Sequence, residues 1–225
     1  LTIPYTALDQ LTSEIQKDLK RQYYFTCKCT VCRDPERDGY ARSARCAFCP
    51  GVCLVYPDDE NLICVSCGAV HPKITVDDAM TANQRVNWFL ERERKPEFDD
   101  DFKWLQEAIR VYDESFPVLS HLNLPMATLA DRIVNMAITL ERKDVATKYA
   151  GTFAETYKRY LPTGHPLLSY VLLHFAVGRS FDEPPSGTVV GLFEEAREAF
   201  LLSHGPRDPD AAYVDKLISN YRNRL

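Results

Sequence analysis

Long hydrophobic runs and a strong charge of either sign are both missing from this 225-residue sequence. No stretch of about 18 apolar residues occurs, which excludes an ordinary membrane-spanning helix. The net charge is −5, from 27 basic and 32 acidic residues, whereas dedicated nucleic-acid-binding domains usually carry a basic surface. Hydrophobic residues make up 45% of the chain, which is ordinary for a globular protein. We therefore expect a folded protein without a membrane partner. Nucleic-acid binding by the basic residues around the cysteines ranks last among the possible functions, because nearby acidic residues largely cancel their charge.

Cysteine is absent from the last 158 residues, because all eight cysteines lie within residues 27–67. The sequence also opens without the basic and apolar segments of a secretory signal. Closely spaced cysteines in a reducing compartment are typical of zinc ligands rather than of disulfides. The stronger of two sets has the spacing Cys-x2-Cys-x14-Cys-x2-Cys and comprises Cys46, Cys49, Cys64 and Cys67.

This set predicts a zinc ribbon. Gly51 and Gly68 follow the two cysteine pairs, where glycine lets the backbone turn so that both thiolates face one metal. Residues 53–57 and 61–64 are predicted to form short strands, joined by a turn at residues 58–60. Four thiolates complete a tetrahedron, so we expect a structural zinc without an open position for catalysis. His71 is either a substitute ligand or a surface histidine beside a turn.

The other set, Cys27-x-Cys29-x2-Cys32, supplies three thiolates, although a structural zinc takes four ligands. Cys53 is the one cysteine outside both sets. It either completes this second site or is a small buried hydrophobic residue of the ribbon. A ligand from a segment upstream of residue 1 is the remaining alternative.

Short motifs near both ends of the sequence are informative in combination. They are Leu1-Thr-Ile-Pro-Tyr5, Leu19-Lys-Arg-Gln-Tyr-Tyr-Phe-Thr-Cys-Lys-Cys-Thr-Val-Cys32, Tyr157-Lys-Arg-Tyr-Leu-Pro-Thr-Gly-His-Pro166 and His204-Gly205. With them, the sequence resembles the end of the SET domain, the post-SET segment and the C-terminal helical domain of SMYD-type (SET and MYND) protein lysine methyltransferases. The resemblance covers nearly the whole chain, and an inserted ribbon is similar to one in some branches of that family.

The resemblance implies roles for three aromatic residues. Tyr5 corresponds to the SET tyrosine that lines the lysine channel, which makes it the candidate catalytic residue. Tyr23 and Phe25 correspond to aromatic residues around S-adenosylmethionine and the channel, which makes them candidate cofactor-binding residues. Pro4 departs from the family, which usually has a small or polar residue there. Without the resemblance, the run Tyr23–Phe25 would be interpreted as a core strand before a zinc loop.

The resemblance also accounts for the three-thiolate set. Cys27, Cys29 and Cys32 correspond to three ligands of the post-SET zinc, whose fourth ligand in the family comes from an upstream Asn-His-x-Cys motif that this sequence lacks. The upstream glycine-rich cofactor loop and the MYND finger are absent as well. We therefore expect one or two zinc ions in this chain, and S-adenosylmethionine only with a complete SET domain.

From residue 75 onward, apolar residues recur at the three- and four-residue spacing of amphipathic helices. The predicted helices are Thr75–Lys95, Asp99–Ser115, Ala127–Arg142, Lys143–Tyr160, Leu167–Phe181, Val189–Ser203 and Ala211–Asn223. A helix end, a glycine turn and a proline recur 43 residues apart, at 160–166 and 203–209. Such repetition suggests TPR-like helical hairpins, with a generic helical bundle as the alternative.

The expected fold is therefore mainly α, a TPR-like helical-hairpin array preceded by a small zinc-bound region with short β-strands. The expected domains are residues 1–34 (end of SET and post-SET segment), 35–74 (zinc-ribbon-like insert) and 75–225 (TPR-like helical domain). The expected function is the C-terminal part of an S-adenosylmethionine-dependent protein lysine methyltransferase, acting on a lysine-containing histone or non-histone substrate in the cytoplasm or nucleus. The alternative is a non-catalytic, zinc-stabilised module that binds a peptide on its helical face.

Overall fold

The computed structural model describes residues 10–56, 58–92, 100–151, 153–182 and 184–224. Within these residues, α-helix dominates, and the β-structure consists of four two-residue strands and two isolated bridges. The helices are α1 Thr12–Tyr23, α2 Pro35–Ala41, α3 Lys73–Arg92, α4 Asp101–Ser115, α5 Leu124–Thr139, α6 Lys143–Tyr149, α7 Phe153–Tyr160, α8 Pro166–Ser180, α9 Gly187–Ser203 and α10 Pro209–Arg222. The strands are β1 Ala44–Arg45, β2 Val52–Cys53, β3 Leu62–Ile63 and β4 Val70–His71. The expected mainly helical class with short strands is confirmed.

The described chain divides into two compact units, residues 10–92 with 110–126, and residues 100–109 with 127–224. In the first unit, a small apolar core joins the strands to the start of α3. Its buried members are Ala44, Cys53, Val55, Leu62, Cys64, Val76 and Ala79. In the second unit, a buried cluster joins α8, α9 and α10, with Phe193 and Phe200 as its largest members. Among the described residues, none of the helices is long and apolar enough to cross a bilayer.

The strands form two separate antiparallel pairs. β1 pairs with β2 and places Ala44 opposite Cys53, whereas β3 pairs with β4 and places Leu62 opposite His71. The predicted hairpin between residues 53–57 and 61–64 is therefore wrong in its pairing, although a single bridge between Cys53 and Cys64 brings the two segments together. Strand β2 pairs with β1, on the other side of Cys46 and Cys49, and β3 pairs with β4, on the other side of Cys64 and Cys67. Each cysteine pair therefore lies in the turn between two paired strands.

A buried polar network closes the first unit around the segment that precedes α5. The Asn123 side-chain amide donates to Asn83 Oδ1 at 2.9 Å and to the Ser43 carbonyl at 3.3 Å. In turn, Asn123 Oδ1 accepts the backbone N–H of Met126 at 3.1 Å. The Arg45 backbone N–H donates to the Val118 carbonyl at 2.9 Å. Residues 116–126 thus complete the surroundings of the ribbon strands.

In the second unit, the predicted helix Lys143–Tyr160 is interrupted. The helix α6 ends at Tyr149, Ala150 leaves the helical region with ψ near 50°, and α7 begins at Phe153. Helix α8 passes close to this break, because a Cβ atom placed on Gly178 would lie 2.6 Å from the Ala150 Cβ. Gly178 therefore permits a helix approach that a larger residue would prevent.

The repeated glycine-and-proline turns have the predicted structure. Gly164 and Gly205 have φ angles of 85° and 91°, which L-residues with a Cβ atom rarely adopt. Helices α8 and α10 then begin at Pro166 and Pro209, where proline is favoured because its missing N–H is not needed.

Replacing the residue before Pro209 tests the second turn. Asp208 accepts backbone N–H bonds from Asp210 at 2.9 Å and from Ala211 at 3.2 Å. Asp208→Ala should lower the free energy of unfolding of the helical unit by about 1 kcal/mol, measured by urea titration with circular dichroism. Asp208→Asn should behave like the wild type, since asparagine caps equally well. Equal losses in both variants would contradict this assignment.

Candidate metal centre and cofactor segment

Four cysteine sulfurs meet at the ends of the two strand pairs. Cys46 follows β1, Cys49 precedes β2, Cys64 follows β3 and Cys67 precedes β4. The Sγ atoms of Cys46 and Cys67 are 3.7 Å apart, those of Cys49 and Cys64 are 3.6 Å apart, and all four lie within 4.8 Å of one another. A tetrahedral zinc with Zn–S bonds of about 2.3 Å spaces its sulfurs about 3.8 Å apart. These four residues therefore fit zinc, which would crosslink the two strand pairs.

Backbone N–H groups favour the thiolate form at this centre. Phe48 donates to Cys46 at 3.4 Å, Gly51 to Cys49 at 3.3 Å and Ser66 to Cys64 at 3.4 Å. The Cys67 N–H, with help from Ser66, lowers the pKa of Cys64 to about 6 against the opposing effect of burial. At Cys49 the Gly51 N–H acts in the same direction, but the neighbouring thiols, led by Cys67, and desolvation together outweigh it, and the pKa of Cys49 is raised to about 12. The hydrogen bonds therefore favour the thiolate form most at Cys64.

Both predicted glycines have structural reasons at this centre. Gly68 has φ near 71°, in the left-handed region. Gly51 is needed for space rather than for its φ angle, because a Cβ atom there would lie 2.4 Å from Ser66 Oγ. The two knuckles therefore approach each other closely through Gly51.

A second set of potential ligands shares Cys46. The sulfurs of Cys46 and Cys53 and a ring nitrogen of His71 lie within 4.8 Å of one another. Cys53 is fully buried in the core of the ribbon, and burial raises the pKa of its thiol to about 12. His71 is only 4% exposed, so its interpretation as a surface histidine is wrong. Spacing alone could not show this, because the burial of His71 depends on its pairing with Leu62.

The other cysteine cluster follows α1. The sulfurs of Cys27, Cys29 and Cys32 lie within 4.8 Å of one another, and Cys53 is not a member of this group. The Cys32 N–H donates to Cys29 Sγ at 3.5 Å and is the main reason that the pKa of Cys29 is lowered. The structure thus brings the sulfurs of the three cysteines together on one short segment.

Gln16 anchors this loop to α1, a role that the sequence did not indicate. Its Nε2 donates to the Cys27 carbonyl at 2.7 Å, and its Oε1 accepts the Cys27 N–H at 2.8 Å. The reciprocal pair satisfies both backbone groups of the first thiolate residue. The contact could not be predicted from the sequence, because Gln16 lies eleven positions from Cys27 and forms no recognisable motif with it.

The candidate cofactor residues lie between α1 and the cysteine loop. Tyr23 ends α1, and Tyr24 follows in the left-handed conformation with φ near 60°. Tyr23, Tyr24 and Phe25 are 45%, 89% and 39% exposed, so their interpretation as a core strand is wrong. Tyr5 and Pro4 lie outside the described residues. The segment therefore presents large aromatic surfaces directly beside a three-thiolate group.

Comparison with known proteins gives one distant similarity of functional interest. No protein-family model matches the chain. The chain is 25% identical, over 181 residues, to a protein of Arabidopsis thaliana named histone-lysine N-methyltransferase ASHR1. The aligned part covers 75% of this chain but 36% of that relative, so the chain spans well under half of its length. The similarity agrees with a methyltransferase relationship.

Proposed function

We propose that this chain is the C-terminal part of a SMYD-type, S-adenosylmethionine-dependent protein lysine methyltransferase that requires an upstream SET region. One observation carries the proposal: the segment from Tyr23 to Cys32 combines three gathered thiolates with exposed aromatic side chains. The similarity to a histone-lysine methyltransferase over 75% of the chain supports the same interpretation.

The cysteine loop supplies three of the four ligands of a structural zinc and exposes apolar side chains beside them. Three thiolates leave one of the four positions of a structural zinc to a ligand from elsewhere. Val31, within the loop, is 40% exposed, and the neighbouring aromatic residues are exposed to a similar or greater extent. Covering such apolar surface is favourable by about 25 cal/mol per Å². Both features are satisfied together when a SET region covers this segment and supplies the fourth ligand.

The residues of the segment suit a methyl-transfer site. The aromatic faces of Tyr23 and Phe25 favour a nearby cation, such as the sulfonium of S-adenosylmethionine. In this proposal, the Tyr5 hydroxyl lines the channel that orients the neutral lysine amine. S-adenosylmethionine supplies an activated methyl group when bound. The zinc ions have a structural role and hold these residues in place.

The helical unit is proposed to be TPR-like and to present a peptide-binding face. Small buried residues allow close helix packing there, as expected of helical hairpins. They are Ala146, Ala150, Ala154, Ala196 and Ala199. The proposed substrate is a lysine-containing protein or peptide, and the proposed location is the cytoplasm or nucleus.

Catalysis by two forms of the protein tests the proposal. The 225-residue chain alone should transfer no methyl group from radiolabelled S-adenosylmethionine to histones, whereas the full-length native form should. The size of the native form is first established by immunoblot with an antibody to the helical region. In the active form, Phe25→Ala should raise the KM for S-adenosylmethionine roughly tenfold, as expected for about 1.4 kcal/mol of lost cation–π and packing energy.

Tyr24→Ala is the matched control, because Tyr24 lies between the two candidate cofactor residues but is not one of them. It should leave the KM unchanged. Turnover by the 225-residue chain alone would refute the requirement for an upstream region. A native band at 25.7 kDa without methyl transfer would favour the non-catalytic zinc-stabilised binding module.

A further inference from the structure

His71 is buried against the four-cysteine centre. Its Nε2 atom lies 3.5 Å from Cys46 Sγ, and its ring centroid lies 5.3 Å from that of Phe48. The strand alternation of β4 places it there, because Val70 is 61% exposed while His71 is 4% exposed. The imidazole is therefore held at a fixed distance from one sulfur of the centre.

The four-thiolate centre creates a demand for hydrogen-bond donors. A zinc ion with four thiolates would carry a net charge of −2, and charge that is shielded from water needs hydrogen bonds in compensation. Cys64 is buried and Cys46 and Cys49 are half-buried, so water reaches these sulfurs only in part. At least one backbone N–H reaches each of Cys46, Cys49 and Cys64, as described above. The Nε2 atom of His71 lies within hydrogen-bond distance of Cys46 Sγ and is a further donor when it carries the ring proton.

Direct ligation by His71 is disfavoured by the same geometry. The four sulfurs lie within 4.8 Å of one another, and two of their pairs are separated by 3.6 and 3.7 Å, as in a tetrahedral zinc–thiolate centre. A tetrahedral zinc has no fifth position, so the histidine would have to displace a thiolate. A neutral imidazole with its proton on Nε2 can instead donate to the Cys46 sulfur at the observed distance.

We propose that His71 is a positioning residue that donates its Nε2–H to the zinc-bound thiolate of Cys46 and thereby slows the loss of zinc. The inference rests on the proposed zinc site. Outer hydrogen bonds of this kind typically change metal affinity by 10- to 100-fold. Such a bond also withdraws charge from the sulfur, which alters the electronic transitions of a bound metal.

The test uses the 225-residue chain with Cys29→Ser and Cys32→Ser, so that the second cysteine cluster no longer competes for metal. His71→Phe keeps a ring against Phe48 but has no donor, and His71→Gln restores a donor. His71→Phe should release zinc to a chelator about tenfold faster than the parent, and His71→Gln should release it at nearly the parental rate. With Co²⁺ in place of zinc, the sulfur-to-cobalt charge-transfer band should shift in His71→Phe and return in His71→Gln.

Three other results would overturn the proposal. Unchanged release and an unchanged band in His71→Phe would mean that the ring only fills space. A change of the cobalt d–d bands from the four-sulfur pattern to a new pattern in His71→Phe would make His71 a ligand. If the parent itself takes up no Co²⁺ or zinc, the zinc site is refuted, which separates that failure from a failure of the His71 bond.

Discussion

Cys64→Ser is expected to abolish zinc binding at the ribbon and to unfold β1–β4, while the helices α6–α10 remain folded. Cys64 is 1% exposed and supplies one of the four grouped sulfurs. Structural zinc sites contribute on the order of 10 kcal/mol to the folding of small domains, and the apolar core beside these strands is small. Metal content by mass spectrometry and amide hydrogen exchange of residues 44–71 should both register the loss.

Cys53→Ala is the matched control for this experiment. Cys53 is equally buried and neighbours Cys64 through the strand bridge, but it is not one of the four grouped cysteines. Its replacement should leave the metal content unchanged and cost only the small loss of packing expected for a thiol in a core. If Cys53→Ala lost the metal while Cys64→Ser kept it, the ligand set would have to be reassigned.

Gly178→Leu is expected to destabilise the helical unit by about 3 kcal/mol, because it forces a side chain into a packed helix crossing. A Cβ atom alone would lie 2.6 Å from the Ala150 Cβ, 3.2 Å from Val134 Cγ1 and 3.3 Å from the Ala146 carbonyl oxygen. Backbone and β-carbon neighbours cannot swing away as a flexible side chain would. Urea unfolding of the chain, followed by circular dichroism, measures the loss.

Gly191 provides the contrasting glycine. It lies inside α9, where a Cβ atom would meet nothing within 4 Å. Gly191→Ala should therefore raise the stability by roughly 0.5–1 kcal/mol through helix propensity alone. Stabilisation by both changes would show that helix propensity, rather than the close approach at residue 178, governs these positions.

Local patterns predicted the helical part of the fold well. Apolar spacing and the glycine–proline turns locate α8 and α10 to within about two residues of Pro166–Ser180 and Pro209–Arg222. The break between α6 and α7 was missed, although Gly151 inside the predicted helix was a local warning. The break lies where Ala150 approaches Gly178 of α8, and periodicity within one segment cannot show such a contact.

The candidate metal centre shows the same division. Cysteine spacing was sufficient to group the sulfurs, because a knuckle pair is a local structure. The contacts of His71 and Gln16 were not predictable in this way, since each depends on a partner brought close by folding. The pairing of β1 with β2 and of β3 with β4 also depends on how the knuckles close rather than on strand propensity.

Residues 116–126 are synthesised well after the ribbon that they contact, which affects how the ribbon folds. Ribbon residues 44–71 leave the ribosome early, but Arg45 bonds to the Phe116, Val118 and Leu119 carbonyls, and Asn123 reaches back 80 positions to Ser43. Contacts over such long stretches of sequence form slowly. Until α3 and α4 have been synthesised, the nascent ribbon lacks its contacts with residues 116–126. During that interval its thiols are accessible to oxidants and to other metals. Early capture of zinc would protect them.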